Sequence, residues 1–406
     1  MSMKYTSEKF DVVVIGCGPG GAVAAAYLAR TGLSLLLLEK EQFPRYHVGE
    51  SLSGVITDIL DDFDLVPQMA RYDFPIKGGA KIMGRGAQEE FFIPLFRQSW
   101  QVRRDEFDQM LLDNAIKCGA IFQYGTVKDI LRDGEKVVGV SYQPQNSSQL
   151  KEVFCRMIVD ASGRAKLLSK KGIAGSVIYE EMDRQAALFT QFKGARRDPG
   201  RIGNDNTFIF YSKAYHWAWF IPLSPDVVSV GVVMPTRQLK ACGGAEKAWQ
   251  WGLENINPDL KRRVKGGERV EKVRAITNYS YRVEPFAGEG WLCIGDAHRF
   301  IDPIFSLGVA FAMLEAREAS RAILKALETG DWTEPFAQYT SYSDRAQNAA
   351  LDLTRYFWSY PHFFGFLTRG KLRKDLIRFL SSDFQTPHDF KSWQSMHKSL
   401  NRIHHS

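Results

Sequence analysis

Residues 11–39 read DVVVIGCGPGGAVAAAYLARTGLSLLLLE, and their order decides the fold. Val12–Ile15, entered from Asp11, is an unbroken apolar run, as a parallel strand covered on both faces requires. Gly16, Gly18 and Gly21 then form a G-x-G-x-x-G turn. The alanine-rich run from Ala22 to Ala29 favours a helix and is small enough to lie close against a sheet. Leu35–Leu38 reads as a second strand, ending at Glu39 and Lys40. Strand, glycine turn, helix, strand is one mononucleotide-binding unit. The glycines let a pyrophosphate approach the backbone at a helix N-terminus, where the dipole favours an anion. Glu39 stands where an acidic side chain binds ribose hydroxyls, and its charge would repel a ribose 2′-phosphate. A glycine turn alone is a weak signal; the flanking strand, helix and glutamate give it weight.

Working outward, the chain of 406 residues is too long for one simple core and predicts interleaved domains. Hydrophobic content of 45% and charged content of 24% are ordinary for a soluble protein. No apolar run approaches the ~18 residues that would span a bilayer. The N-terminus lacks a signal-peptide pattern, so a cytoplasmic location is expected. The five cysteines, Cys17, Cys118, Cys155, Cys242 and Cys293, form no CxxC pair. They argue against a zinc site or a disulfide framework and read as buried thiols. The net charge is +7, and residues 341–406, with ten Lys/Arg against five Asp/Glu, carry +5 of it. That balance suits either a solvated helical face or the docking of an acidic protein.

A helix is predicted from Arg103 through the MLLDNAIKCGA run, with apolar positions at helical spacing. Strands follow around Ile121–Tyr124, Val137–Tyr142 and Met157–Val159, with Pro144–Gln149 as a hairpin tip. Residues 175–280 are rich in aromatic and β-branched side chains and predict a largely antiparallel sheet walling a pocket. Residues 290–325 return to strand, turn and long helix, and the last ~75 residues read as aromatic-rich helices. The expected division is a discontinuous dinucleotide-binding domain from 1–75, 100–175 and 281–330. Residues 76–99 and 176–280 would form the substrate-binding sheet, and 331–406 a helical segment covering the substrate cavity.

The distant pieces specify a flavin. Gly295-Asp296 follows the strand WLCI and precedes a helix; Asp160-Ala161-Ser162-Gly163 and the helix opening at Arg103 complete the set. Together they resemble the glutathione-reductase and aromatic-hydroxylase type of α/β Rossmann-like FAD fold, in which the aspartate corresponding to Asp296 binds the ribityl chain. The resemblance makes Gly16, Gly18, Gly21, Glu39, Lys40, Arg103, Asp160, Gly163, Gly295 and Asp296 cofactor-binding candidates. No second glycine fingerprint in a strand–helix context supplies an NAD(P)H domain.

Three further segments separate the relatives. Trp217-Ala218-Trp219-Phe220-Ile221-Pro222 fits the WxWxIP motif of flavin-dependent halogenases, and Phe300–Gly308 (FIDPIFSLG) fits their FxxPxxSxG motif. FPRYHVGESL (Phe43–Leu52) resembles their early loop, which adds Gly49, Glu50 and Ser51 beside the flavin. On this resemblance, Trp217 and Trp219 separate flavin from substrate. Pro303 and Gly308 border the cofactor, and the backbone of Ser306, Leu307 and Gly308 holds chloride or bromide. A separate flavin reductase supplies FADH2, O2 gives a flavin hydroperoxide, and halide attack yields hypohalous acid. Lys77, followed shortly by Gly-Ala, is the lysine that presents the oxidised halogen, with Lys81 as the other candidate. An ammonium can hydrogen-bond hypohalous acid, and a desolvated amine can itself be halogenated.

Phe305 stands where tryptophan halogenases carry glutamate. The resemblance therefore points to an electron-rich phenol or pyrrole, free or tethered to an acidic acyl or peptidyl carrier protein. His47 and His298 lie near the cofactor motifs, as bases or as structural groups. The competing readings are a geranylgeranyl-reductase-like enzyme or an aromatic monooxygenase on the same fold, and a flavin-binding protein without turnover. Neither a metal nor a nucleic-acid partner is expected.

Overall fold

Val12–Ile15 pairs in parallel with Leu35–Leu38 on one side and with Met157–Asp160 on the other. This places the opening strand at the centre of a sheet, as its unbroken apolar run requires. The computed structural model describes residues 8–84, 90–180, 182, 184–199, 205–277 and 280–403. Five strands make the parallel part, in the order Ile121–Asp133, Leu35–Glu39, Glu8–Ile15, Lys151–Asp160 and Trp291–Cys293. Ile121–Asp133 and Lys151–Asp160 run on beyond it and join Lys136–Pro144 in an antiparallel meander. The predicted hairpin tip falls between the last two of these strands.

The helix Pro19–Ala29 is buried at every residue. It packs against the sheet and against the helices Arg104–Lys117 and Gly308–Thr329. A helix apolar on all sides needs such complete cover, and its alanines keep the spacing small. Two glycines are fixed by contact. A Cβ on Gly16, whose φ is +98°, would lie 2.4 Å from the Ala161 carbonyl oxygen, and one on Gly21 would lie 1.9 Å from that of Gly16.

The second sheet has eight strands. Gln185–Lys193, Val227–Pro235, His216–Pro222 and Thr207–Lys213 pair antiparallel, and Gly79–Met83 adds to the last of them in parallel. Side chains alternate faces along each strand. Phe208, Phe220 and Val230 enter a core with the helices Ala245–Asn255 and Pro258–Val264. Trp217, Trp219, Ile209 and Phe189 enter another, shared with Phe357, Phe364 and Phe379 of the C-terminal helices. Full burial of side chains such as Phe357 and Phe364 contributes about 2–3 kcal/mol each. The helices Thr333–Ser359, Pro361–Arg369, Arg373–Leu380 and Lys391–Ile403 thus cover the tryptophan face of the sheet. Among the described residues no helix is long and apolar enough to cross a membrane, and no cluster of His, Cys, Asp or Glu could hold a metal ion.

Candidate active site

A cavity of ≈ 520 Å³ opens where the carboxyl ends of the parallel strands meet the tryptophan face of the second sheet. Open α/β sheets bind ligands at this end because each strand there turns into a loop or a helix N-terminus. Gly16, Gly18, Gly20 and Gly21 line it on one side, and Ala161, Ser162 and Gly163 on another. Glu39 is buried beneath the first turn. The Cys17 N–H donates to its Oε2 at 2.8 Å and the Glu41 N–H to its Oε1 at 2.9 Å. These bonds fix the carboxylate at the cavity wall beside Lys40, which is exposed and 3.4 Å from Glu41 Oε1.

The residues present fit a flavin dinucleotide. Gly163 and Gly308 both line the cavity, and a Cβ added to either would meet no atom within 4 Å. Trp217 Nε1, which borders the same space, is buried without a hydrogen-bond partner. Asp296 also lines it, and burial pushes its carboxyl up to about 6, against the pull of Arg164 and Arg104. A carboxyl in that state hydrogen-bonds a hydroxyl as donor or as acceptor. The Gly295 N–H is held by Glu315 Oε2 at 2.7 Å, which orients this turn from the long helix.

Two of the sequence-derived contacts sit elsewhere. Arg103 does not line the cavity; it donates to the carbonyls of Leu223 and Tyr72, at 3.0 and 2.8 Å. As the N-cap of its helix it points away, and Arg104, one residue on, faces the site. Arg104 grips Asp108 at 2.7 and 2.9 Å and donates to the Val48 carbonyl at 2.8 Å. Asp160 is fully buried and accepts from the Ser162 and Leu168 amides at 2.9 and 2.7 Å. It shapes the Ala161–Gly163 turn and leaves the cavity surface to its neighbours.

The early loop contributes Gly49, Glu50 and Ser51 to the lining. Glu50 is buried, accepts from the Gly49 N–H at 3.0 Å, and is held above the usual carboxylate range by desolvation. Ser51 Oγ is 2.8 Å from Thr207 Oγ1, which ties the loop to the second sheet. His47 lines the cavity, with Nδ1 2.7 Å from the Val48 carbonyl. His298 does not; it is buried, stacked on Phe286 at 3.6 Å, with Nδ1 3.5 Å from Glu315 Oε1. Its position makes it part of the helix-to-turn packing.

Trp217 and Trp219 stand side by side on the wall, ring centroids 5.8 Å apart. Trp219 Nε1 donates to Ser229 Oγ at 3.1 Å. Gly231 makes room for this ring: a Cβ there would fall 2.2 Å from it. Opposite lies the 302–308 loop. Asp302 caps it by accepting from the Ile304 N–H at 3.2 Å. Ser306 takes a left-handed φ of +56°, and the helix from Gly308 follows at once. Pro303, Ser306 and Gly308 line the cavity, and Leu307 joins the aromatic core behind. Phe305 packs on Phe357 and Phe364 at 5.6 and 6.0 Å, so this position faces the C-terminal helices.

Lys77 does not line the cavity and is 7% exposed. Its Nζ donates to the Leu52 carbonyl at 3.1 Å, and Ser99 Oγ donates to the same oxygen at 2.7 Å. Burial lowers its pKa to about 8. Lys81 is on the far face of the sheet, 3.0 Å from Asp198 and over the Phe208 ring. The second-choice lysine is thereby removed from the site.

Fold and cavity together define an FAD-dependent oxidoreductase, and the FAD binding domain family matches residues 9–354. The chain is 44% identical, over 92% of its length and 92% of the relative's, to the 1H-pyrrole-2-carbonyl-[peptidyl-carrier protein] brominase of Pseudoalteromonas luteoviolacea. It is 30% identical, over 93% and 90%, to the corresponding chlorinase of Pseudomonas fluorescens. The solved flavin-dependent brominase Bmp2 superposes with a TM-score of 0.94 at 43% identity, covering 98% of this chain and 99% of that one. The chain belongs to the flavin-dependent halogenases.

Proposed function

We propose that this halogenase acts on a pyrrole-2-carbonyl group carried as a thioester on a peptidyl carrier protein, with reduced flavin delivered by a separate reductase. The observation that carries the substrate reading is the 44% identity, along nearly the whole length, to a brominase named for that substrate. Phe305 agrees with it: an aromatic core fills the position where, on the family resemblance, tryptophan halogenases carry a glutamate. The glycine turn, Glu39, Arg104 and Asp296 would hold the flavin, which in its reduced form would supply, together with O2, the two-electron oxidation of halide to hypohalous acid.

The chain's own groups have separate tasks. The Leu307 and Gly308 amides, at the start of a 22-residue helix, form an anion seat, while the expected third amide, that of Ser306, is taken by the Pro303 carbonyl at 2.9 Å. Trp217 and Trp219 keep the pyrrole from the flavin side. Lys77, desolvated and half-neutral near pH 8, receives the halogen and presents it to the ring. The ring carbon gains halogen as it loses its proton. The test is incubation with carrier-bound pyrrole-2-carboxylate, flavin reductase, NADH, FAD and bromide or chloride. Mass spectrometry should show halogen replacing hydrogen; a product gaining H2 or O instead would contradict the reading.

A further inference from the structure

The helix Pro361–Arg369 turns its buried face inward and an aromatic stripe outward. Phe364, fully buried, meets Phe305 of the anion loop at 6.0 Å and Phe91 at 6.0 Å. Phe363 and Phe366 are 59% and 70% exposed, and their rings are 6.2 Å apart. Two large aromatics left in water side by side on one helix carry a cost that a monomeric surface does not need. Arg369 is exposed three residues beyond Phe366, on the same face, and Lys371 and Lys374 are exposed just after it.

The charge along this stretch of the chain has one sign. From Leu353 to Lys374 the chain holds no Asp or Glu. Of the five basic residues there, Arg355 pairs with Glu180 at 3.2 Å and Arg373 donates to the Phe92 carbonyl at 3.1 Å. Those two serve the fold, while Arg369, Lys371 and Lys374 face solvent. An apolar anchor edged by cations complements an acidic helix that also shows an apolar side chain.

We infer that the Phe363–Phe366–Arg369 stripe, with Lys371, is the docking surface for an acidic helix of the carrier protein. The inference rests on the carrier-bound substrate proposed above. Docking here would set the carrier directly outside the helix that covers Phe305, so its thioester arm would need only to pass that helix to enter.

The experiment compares F366S and the pair R369E/K371E with the wild type. The substrates are the carrier-bound pyrrole thioester and the same acid as its free pantetheine thioester. The expected result is a KM for the carrier substrate raised about tenfold or more, with kcat and the free-thioester rate unchanged. Trapping of hypohalous acid without pyrrole, and the melting temperature, should match the wild type in both variants. An unchanged carrier KM overturns the surface, as does an equal loss on both thioesters. A wild-type dimer that the variants dissociate, with carrier KM unchanged, assigns the stripe to a second copy and also overturns it. If the wild type halogenates neither thioester, the substrate reading itself has failed; failure of the surface alone leaves that reading intact.

Discussion

Trp358 Nε1 donates to Asp302 Oδ2 at 3.0 Å, and Gln185 Nε2 reaches the same oxygen at 2.7 Å. One buried carboxyl thus joins the 302–308 loop, the second sheet and the longest C-terminal helix. Burial pushes its pKa up to about 6. Removing it strands two buried donors, so Asp302→Ala should destabilise the protein by about 3 kcal/mol. Chemical denaturation checks this; an effect under about 0.5 kcal/mol would show that the junction carries no load.

The same residue gives a pH signature. A carboxyl whose folded pKa lies above its unfolded value stabilises the fold fully below the unfolded pKa. That contribution disappears as pH rises through the folded value, here between about 4 and 6. Asp302→Asn lacks it. The stability advantage of wild type over Asp302→Asn should therefore shrink from pH 4 to pH 6.5. A constant or growing advantage would contradict the raised pKa.

Arg104, not Arg103, faces the cavity. Arg104→Gln should weaken FAD binding at least tenfold in a fluorescence titration, because it also frees the Val48 carbonyl and breaks the two-bond grip on Asp108. Arg103→Gln should leave the flavin affinity near the wild-type value. The reverse ranking would restore the sequence-based choice.

Gly308→Ala adds a methyl group to open space at the cavity wall, so the protein should fold normally. If the halide sits on these amides, its KM should rise about tenfold through lost close approach. A halide KM equal to that of the wild type would move the anion site elsewhere.

Much of this site was legible in the chain because its demands are on the backbone. Gly16 and Gly21 admit no side chain, and the surrounding strand and helix follow from apolar runs. The WxW alternation put both tryptophans on one face. What escaped was phase. Arg103 and Arg104 are adjacent, and only the position of the helix start decides which one points inward. Lys77 and Lys81 both precede or enter the strand Gly79–Met83, and only its pairing with Phe208 shows that Lys81 turns to the opposite core. Asp160 looked like a ligand contact because a turn aspartate can bind either a ligand or its own turn; the Ser162 and Leu168 amides take both oxygens. The Arg104–Asp108 pair, four apart on a helix, is the signal in the sequence that marks Arg104 as the inward-facing residue.

We propose that Lys77 passes the halogen to the substrate. With its pKa lowered to about 8, the neutral amine should make the halogenation rate climb with pH and level off above that value. A flat or falling profile in this range would argue against the amine.

The most direct measurement follows two products at once in Lys77→Ala: brominated carrier-bound pyrrole by mass spectrometry, and hypobromous acid by trapping. The account predicts that the variant still binds flavin and oxidises bromide, while the brominated pyrrole disappears. Bromination of the pyrrole at the wild-type rate would contradict it.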